Sequence, residues 1–373
     1  MIYCLITRQH AYTIQEFLQT WGRRLVLRFR FVYYDELVRW HEVPVGTYLF
    51  TDLERLSPPQ MALARHVAGR LETSTDPTRR IVNDPRRVLL RYDLLRALND
   101  RGINDFRPWR LDELDTPGAS PRYPVFLRRE DEHTGSLSEL LHDRGALDAA
   151  VGTALAAGAP RHQLLAVEYC ETSDPSGAFW KYAAFRIGDH VFPHHLLQRS
   201  QWVAKDPSDL TSERFERENS FISQRPHDEA IRKIFDIAGI DYGRIDYSTA
   251  DGSQEGPPVV WEINTNPSVL LAPDLVADDR LLSRAQVARW LLEAFEALDT
   301  APLYARPSSY VPLCVPPAMA GGLGHGPVRR GRDRALRMLK HATRSPVIRP
   351  LARRIGRFLP RQPAPERLDV PMP

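Results

Sequence analysis

Cysteine is scarce in this chain of 373 residues: Cys4, Cys170 and Cys314 are scattered and form no Cys-x-x-Cys pair. That argues against a disulfide framework or a thiolate zinc site, and it predicts a reducing, cytoplasmic setting. Long apolar runs are missing as well. No stretch approaches the ~18 residues that a membrane span requires, and the strand-like start Met1–Ile6 lacks the basic flank of a secretory signal. Lysine is nearly absent: only Lys181, Lys205, Lys233 and Lys340 stand among 50 basic residues. The cationic chemistry of this chain is therefore arginine chemistry.

What is present is the composition of an enzyme with real cores, 43% hydrophobic and long enough for two or three domains. The net charge of +3 is unevenly spread. Between residues 327 and 362 eleven arginines and Lys340 face one acid, Asp333. The body before them is mildly acidic.

Residues 1–82 alternate strand and helix. Strands are expected at 2–7, 25–33 and 47–50, and helices at 14–21 and 59–71, the rhythm of a small α/β domain with a parallel sheet. Residues 83–299 carry the chemistry. A helix is expected from Asn83, with Asp84 as its cap, Pro85 in the first turn and Gly102 as its stop, and with Arg87 and Arg91 on one face. Next comes a strand ending in Arg128-Arg129, then the small-residue turn Thr134-Gly135-Ser136 and a helix over 137–142, a combination suited to cradling phosphate. Leu164–Cys170 is an apolar strand carrying Glu168. Phe179–Ile187 and His190–Pro193 form a hairpin, and helices follow at 228–238, stopped by Gly239, and at 282–298. Residues 300–373 read as a proline-rich linker (Pro302 to Pro317) and a basic tail. Within the tail Ile348, Leu351, Ile355 and Phe358 recur at helical spacing among arginines. This amphipathic pattern suits an anionic membrane surface or an acidic partner. Nucleic acid fits less well, because no stacking aromatics interleave the arginines. The glycine run 321–326 has neither a preceding strand nor a following Lys-Ser/Thr, so it is not a phosphate loop.

The most informative segments are Arg244-Ile245-Asp246-Tyr247 and Trp261-Glu262-Ile263-Asn264-Thr265-Asn266-Pro267. They read as two strands of a hairpin. Alternation puts Arg244 with Asp246 on one face and Glu262 with Asn264 on one face, and sends Val259, Trp261 and Ile263 the other way. Two carboxylates and a carboxamide are hard oxygen ligands of the kind Mg²⁺ takes alongside phosphates. By the same alternation His194 and His195 point to opposite faces and do not chelate one ion.

The order of these parts resembles the ATP-grasp superfamily over residues 83–298. Arg87-Val88-Leu89-Leu90-Arg91 is similar to its Lys-x-x-x-Lys helix. Pro124-Val125-Phe126-Leu127-Arg128 is similar to its Pro-Val-x-x-Lys-Pro strand, and Thr134-Gly135-Ser136 to its glycine-rich loop. Val167-Glu168-Tyr169-Cys170 resembles the hinge that reads adenine, and Arg244, Asp246, Glu262, Asn264 and Pro267 resemble its closing motif. Two departures stand out: both phosphate-reaching lysines are arginines, and the loop keeps one glycine. Arginine grips phosphate oxygens in a bidentate way, so nucleotide binding is compatible with the change.

The resemblance implies an α/β (α+β) ATP-grasp fold behind a small N-terminal α/β domain. It implies an ATP- and Mg²⁺-dependent ligase that forms C–N bonds, turning a small-molecule carboxylate into an acyl phosphate for attack by an amine. Asp246, Glu262 and Asn264 would hold Mg²⁺, and Arg244 would act catalytically by neutralising the acyl phosphate or its adduct. Arg87 and Arg128 would meet phosphates, and Lys181 would also belong to the nucleotide-binding set. Glu168, Tyr169 and Cys170 would frame adenine, with Asp174 at the ribose. His194, Arg199 and Trp202 would face the acceptor substrate. A kinase of the same fold, or a non-catalytic nucleotide-binding adaptor, are the alternative readings.

Overall fold

The first strand, β1 (Ile2–Ile6), is buried along its whole length. That is the signature of a parallel strand covered on both faces. Its alternation is visible in what it packs against. Ile2, Cys4 and Ile6 join Ile14, Phe17 and Leu18 of α1 (Tyr12–Gln19). Tyr3 and Leu5 join Met61, Ala64, Val67 and Leu71 of a later helix, α2 (Pro58–Glu72). The computed structural model describes residues 1–133, 135–199, 202, 212–277, 280–299, 301, 307–316 and 319.

Three more strands complete the first sheet: β2 (Phe29–Tyr33), then β4 (Thr47–Phe50) after the short β3 (Glu42–Pro44), and β5 (Arg80–Val82). The order is β2-β1-β4-β5, and the pairings are parallel. The expected α/β rhythm of the first 82 residues is what folds. Its packing does not stop at residue 82, however. The α1 face of the sheet shares one core with Tyr182, Phe235, Tyr242 and Phe295 from the second half of the chain. Asn83, buried with φ +58°, sits at the junction. Its amide donates to the carbonyls of Phe50 and Tyr242 and accepts from the backbone of Asp241 and Tyr242. Asparagine tolerates this left-handed backbone better than most residues.

The helix expected from Asn83, with Asp84 as its cap, is capped six residues later, at Leu90. It is α3 (Arg91–Asp100). Asp84 caps only a turn, by accepting from Arg86 N at 3.0 Å. Leu89 N then bonds the Ala238 carbonyl at 2.8 Å, which holds the chain out of helical geometry. The approach is close: a Cβ on Gly239 would lie 2.9 Å from the Arg87 carbonyl oxygen, and Gly239 has φ +64°. Glycine is needed there on both counts.

A three-stranded sheet follows in the order β6-β8-β7, made of β6 (Pro108–Arg110), β7 (Val125–Arg129) and β8 (Leu164–Glu168). Helices α4 (Leu111–Leu114) and α5 (Arg144–Ala156) contribute Leu111, Leu114, Leu147 and Val151 to its core. The helix expected over 137–142 is absent. Leu137 N and Leu141 N donate instead to the carbonyls of Leu127 and Val125, so this segment lies along β7.

The last sheet is antiparallel, in the order β10-β9-β11-β12. Its strands are β9 (Phe179–Ile187), β10 (His190–Arg199), β11 (Tyr242–Thr249) and β12 (Pro258–Asn264). Helices α6 (Ser212–Gln224), α7 (Asp228–Ala238) and α8 (Leu281–Leu298) belong to the same half of the chain. The architecture is mixed α+β, as expected.

The stretch read as a linker is partly structured. β13 (Tyr310–Pro312) pairs with β3, burying Val311 and Leu313 in the core that also holds α2. The basic amphipathic tail lies outside the described residues. Burying two such side chains contributes ~3–6 kcal/mol. A chain ending at Thr300 should therefore lose several kcal/mol in urea unfolding, while one ending at residue 319 should keep the full midpoint. Equal midpoints for the two would show that β13 adds nothing.

Candidate active site

The centre of the site is a pair of opposed acids. Asp246 on β11 lies directly across from Glu262 on β12. Both are buried, and both line a cavity of about 370 Å³. The register slips immediately after Asp246, so that Tyr247 faces Val260. This bulge overturns the expected alternation: Trp261 turns to the cavity with Glu262 instead of away from it. Its indole stacks on Phe106 at 5.0 Å and donates to Ser248 Oγ.

Each acid is held by cations. Lys181 Nζ is 2.7 Å from Asp246, and Arg244 Nε donates to Asp246 at 2.9 Å. Glu262 accepts from Arg91, from Arg128 at 2.8 Å, and lies 3.3 Å from His133 Nδ1. Burial would raise both carboxyl pKa values. Arg244 and Lys181 nevertheless hold Asp246 below its ordinary value, and Arg91, His133 and Arg128 hold Glu262 well below. Arg128 pays in the other direction: burial, then repulsion from Arg91, pulls it down to about 10. The Nε atoms of Arg91 and Arg128 are buried without a hydrogen-bond partner. The site thus holds more cationic donor capacity than its acids use.

The other end of the cavity is aromatic. Trp202 packs on Phe126 at 5.1 Å and on Tyr169 at 5.7 Å, with Cys170 beside them. Gly135, with φ +96°, and Ser136 border the cavity; Thr134 lies outside the described residues. Arg199 also lines it.

Several expected site residues are elsewhere. Arg87 is displaced because α3 begins after it; its side chain is 72% exposed and pairs with Glu72 and Asp84. Arg91 takes the buried position instead, donating to the carbonyls of Arg129, Glu130 and Glu132. Arg87→Ala should accordingly leave ATP affinity within about twofold by calorimetry, and a tenfold loss would restore it to the site. Glu168 is consumed structurally, accepting from Trp109 Nε1, Arg122 N and Arg107 N. Asp174 closes its own loop through Ser176, Ala178 and Trp180. Neither borders the cavity. Asn264 sits opposite Arg244, one step from the acids, and its amide oxygen accepts from Asn266 N at 2.8 Å. Arg244 adjoins the cavity through Asp246 and is not in its wall. His194 is buried against the Val269 carbonyl and is likewise outside the wall.

Two participants carry no sequence signature. His133 bridges Glu262 and, at 2.9 Å, Glu54 of the N-terminal domain. Glu54 also accepts from Thr265, while Asn266 donates to Asp52 at 2.9 Å. Thr265 and Asn266, which follow β12, therefore fasten the acids to the first sheet. Only a loop histidine and a strand-end acid were visible in the sequence, with nothing to say that they meet.

Burial, the strongest influence on Glu54, would raise its pKa, but His133, Arg55 and Thr265 bring it down to about 2. Because the folded value lies below the unfolded one, the stabilisation is complete above pH ~4.5 and is lost as pH falls toward 2. Between pH 5 and 2 the wild type should lose about 3 kcal/mol more unfolding free energy than Glu54→Gln. Parallel pH profiles in denaturant titrations would contradict this.

No family model matches the chain, and no curated protein matches it. Solved structures do. A D-Ala:D-Ser ligase, VanG, from Enterococcus faecalis is 12% identical over 80% of this chain and 98% of that one, with a TM-score of 0.46. A RimK domain ATP-grasp protein from Sphaerobacter thermophilus is 15% identical over 79% and 99%, with a TM-score of 0.39. An L-amino acid ligase from Bacillus licheniformis is 14% identical over 71% of this chain, with a TM-score of 0.38, and the match spans 66% of that ligase.

Proposed function

We propose that the protein is an ATP- and Mg²⁺-dependent ligase that activates a carboxylate as an acyl phosphate for attack by an amine. The observation that supports this best is the opposed pair Asp246–Glu262, clasped by Arg91, Arg128, Arg244 and Lys181 beside an aromatic-lined cavity. The donor chemistry fits Mg²⁺: two carboxylates, with the Asn264 amide oxygen keeping one lone pair after the bond from Asn266 N. Asp246, Glu262 and Asn264 would hold the ion, which when bound would neutralise phosphate charge.

The remaining work belongs to the chain. Arg91, Arg128 and Lys181 exchange their carboxylate partners for phosphate oxygens, and the spare Nε–H groups of the two arginines add donors. Tyr169, Cys170 and Trp202 enclose the base. Arg244 neutralises negative charge on the acyl group, and Arg199 meets the acceptor. Because Asp246, Glu262, Arg91 and Arg128 are buried, charge contacts made at them are stronger than they would be in water.

The test is turnover with MgATP on a mixed pool of amino acids and dicarboxylic acids, with amino acids and primary amines as nucleophiles. Amide formation with free phosphate supports the ligase. A stable phosphorylated product would identify a kinase, and an absence of any turnover would point to a binding protein.

The basic tail we propose as an anionic-surface element. Among the described residues no helix is long and apolar enough to cross a membrane. The full chain should sediment with anionic vesicles at low salt, and a chain ending at residue 319 should not. Equal sedimentation of both would remove the tail from this role.

A further inference from the structure

Adjacent histidines in a regular strand point apart, but β10 is not regular at His194-His195. Pro193 faces Ala184 and His195 faces Ala183, which leaves His194 as the extra residue of a bulge. The two imidazoles therefore meet, Nδ1 to Nδ1, at 2.6 Å. Two ring nitrogens at that distance share one hydrogen. Which ring owns it is decided at the far side of His194, whose Nε2 lies 2.8 Å from the Val269 carbonyl oxygen. That oxygen only accepts, so Nε2 carries a hydrogen. A neutral His194 then has a bare Nδ1, and the shared hydrogen belongs to His195 Nδ1. His195 Nε2 is left as an open lone pair; among the described residues His194 is its ring's hydrogen-bond partner.

The surroundings keep both rings neutral. Burial, then Arg284 from α8 and Arg244 from β11, lowers the proton affinity of His194, with the Val269 carbonyl and Asp246 acting the other way. Burial, then His194, Arg244, Arg284 and Lys181 from β9, lowers that of His195. The bulge also decides where the lone pair is presented. Residues directly opposite on neighbouring strands share a sheet face. One row, His195–Ala183–Asp246–Glu262, therefore crosses all four strands. His195 stands two strands from Asp246, roughly 10 Å along the sheet at ~4.8 Å per strand. A substrate lying between them would reach both.

We propose that His195 is the proton acceptor for the attacking amine, and that His194 is the positioning residue that fixes its tautomer. The assignment rests on the ligase reading. In the step, the neutral amine's lone pair forms the C–N bond to the acyl carbon, and the C–O bond to phosphate breaks with its electrons leaving on the phosphate oxygen. The surplus N–H proton passes to His195 Nε2.

Histidine-selective ¹⁵N NMR of the full chain tests the tautomers without any ligand. The expected spectrum shows His195 protonated on Nδ1 alone and His194 on Nε2 alone. His194→Phe should let His195 average between its two tautomers. A proton on His195 Nε2 in the wild type overturns the assignment, and an unchanged His195 tautomer in His194→Phe overturns the positioning role. Diethyl pyrocarbonate at pH 7 should label His195 at Nε2 and spare His194; the reverse pattern contradicts the proposal. Where the pool assay yields an amide, His195→Gln should lower the ratio of amide to hydroxamate, formed in competition with hydroxylamine, by about 100-fold. An unchanged ratio overturns the catalytic role. If the wild type forms neither product the ligase reading fails, and the NMR result then decides the histidine pair on its own.

Discussion

Glu262→Gln is expected to abolish Mg²⁺-dependent nucleotide turnover, and to do so in a protein that is also less stable without nucleotide. The two effects share one cause. Glu262 is the common partner of Arg91, Arg128 and His133. Removing its charge leaves two buried guanidinium groups facing each other, and breaking a buried pair in this way costs about 3–5 kcal/mol. Metal-free ATP should relieve that repulsion and bind the variant at least as tightly as the wild type, whereas Mg²⁺ should no longer improve binding. Calorimetry with and without Mg²⁺, alongside denaturant titration, separates these effects. A variant with wild-type turnover would remove Glu262 from metal binding, and unchanged stability would contradict the description of the pair.

Arg128→Ala should weaken ATP binding at least tenfold. A charge-assisted contact contributes ~1.5–3 kcal/mol, and Arg128 is already desolvated, so little of this is lost to water. Its pKa near 10 records that cost. Arg128→Lys should recover part of the affinity, because a lysine supplies the charge but not the two-pronged geometry. The contrast with Arg87→Ala makes the experiment informative. Both arginines belong to motifs of equal apparent weight in the sequence, and only one reaches the cavity. ATP affinity unchanged in Arg128→Ala would place the phosphates elsewhere.

That contrast shows where sequence reasoning succeeds and where it stops. The N-terminal α/β rhythm, helix α7 with its Gly239 stop and the β11–β12 hairpin follow from periodicity and punctuation, and the structure has them. The errors have local causes. Asp84 and Pro85 look like a helix start, but the Leu89–Ala238 hydrogen bond comes from 149 residues away and outcompetes the local signal. Strand alternation misplaces Trp261 and the His194-His195 pair because both strands bulge, and a one-residue slip is invisible to a period of two. Glu168 and Asp174 have the right residue type at a suggestive position, yet nearby backbone and indole N–H groups claim them. Glu54 and His133 were illegible for the opposite reason, since their importance exists only once the first sheet meets the third. The β13 pairing was hidden by its prolines, which an edge strand accommodates.

An acyl-phosphate ligase passes oxygen from the carboxylate to phosphate, and ¹⁸O transfer measures that passage in this site. The protein would be incubated with MgATP, the amine pool and the acid pool carrying ¹⁸O in its carboxyl groups. The phosphate released with ADP would then be analysed by mass spectrometry. One ¹⁸O atom is expected in that phosphate for each amide formed, because the carboxylate oxygen that attacks the γ-phosphorus stays with it when the C–N bond closes. ADP formed with unlabelled phosphate, or label retained in a stable phosphorylated product, would contradict it.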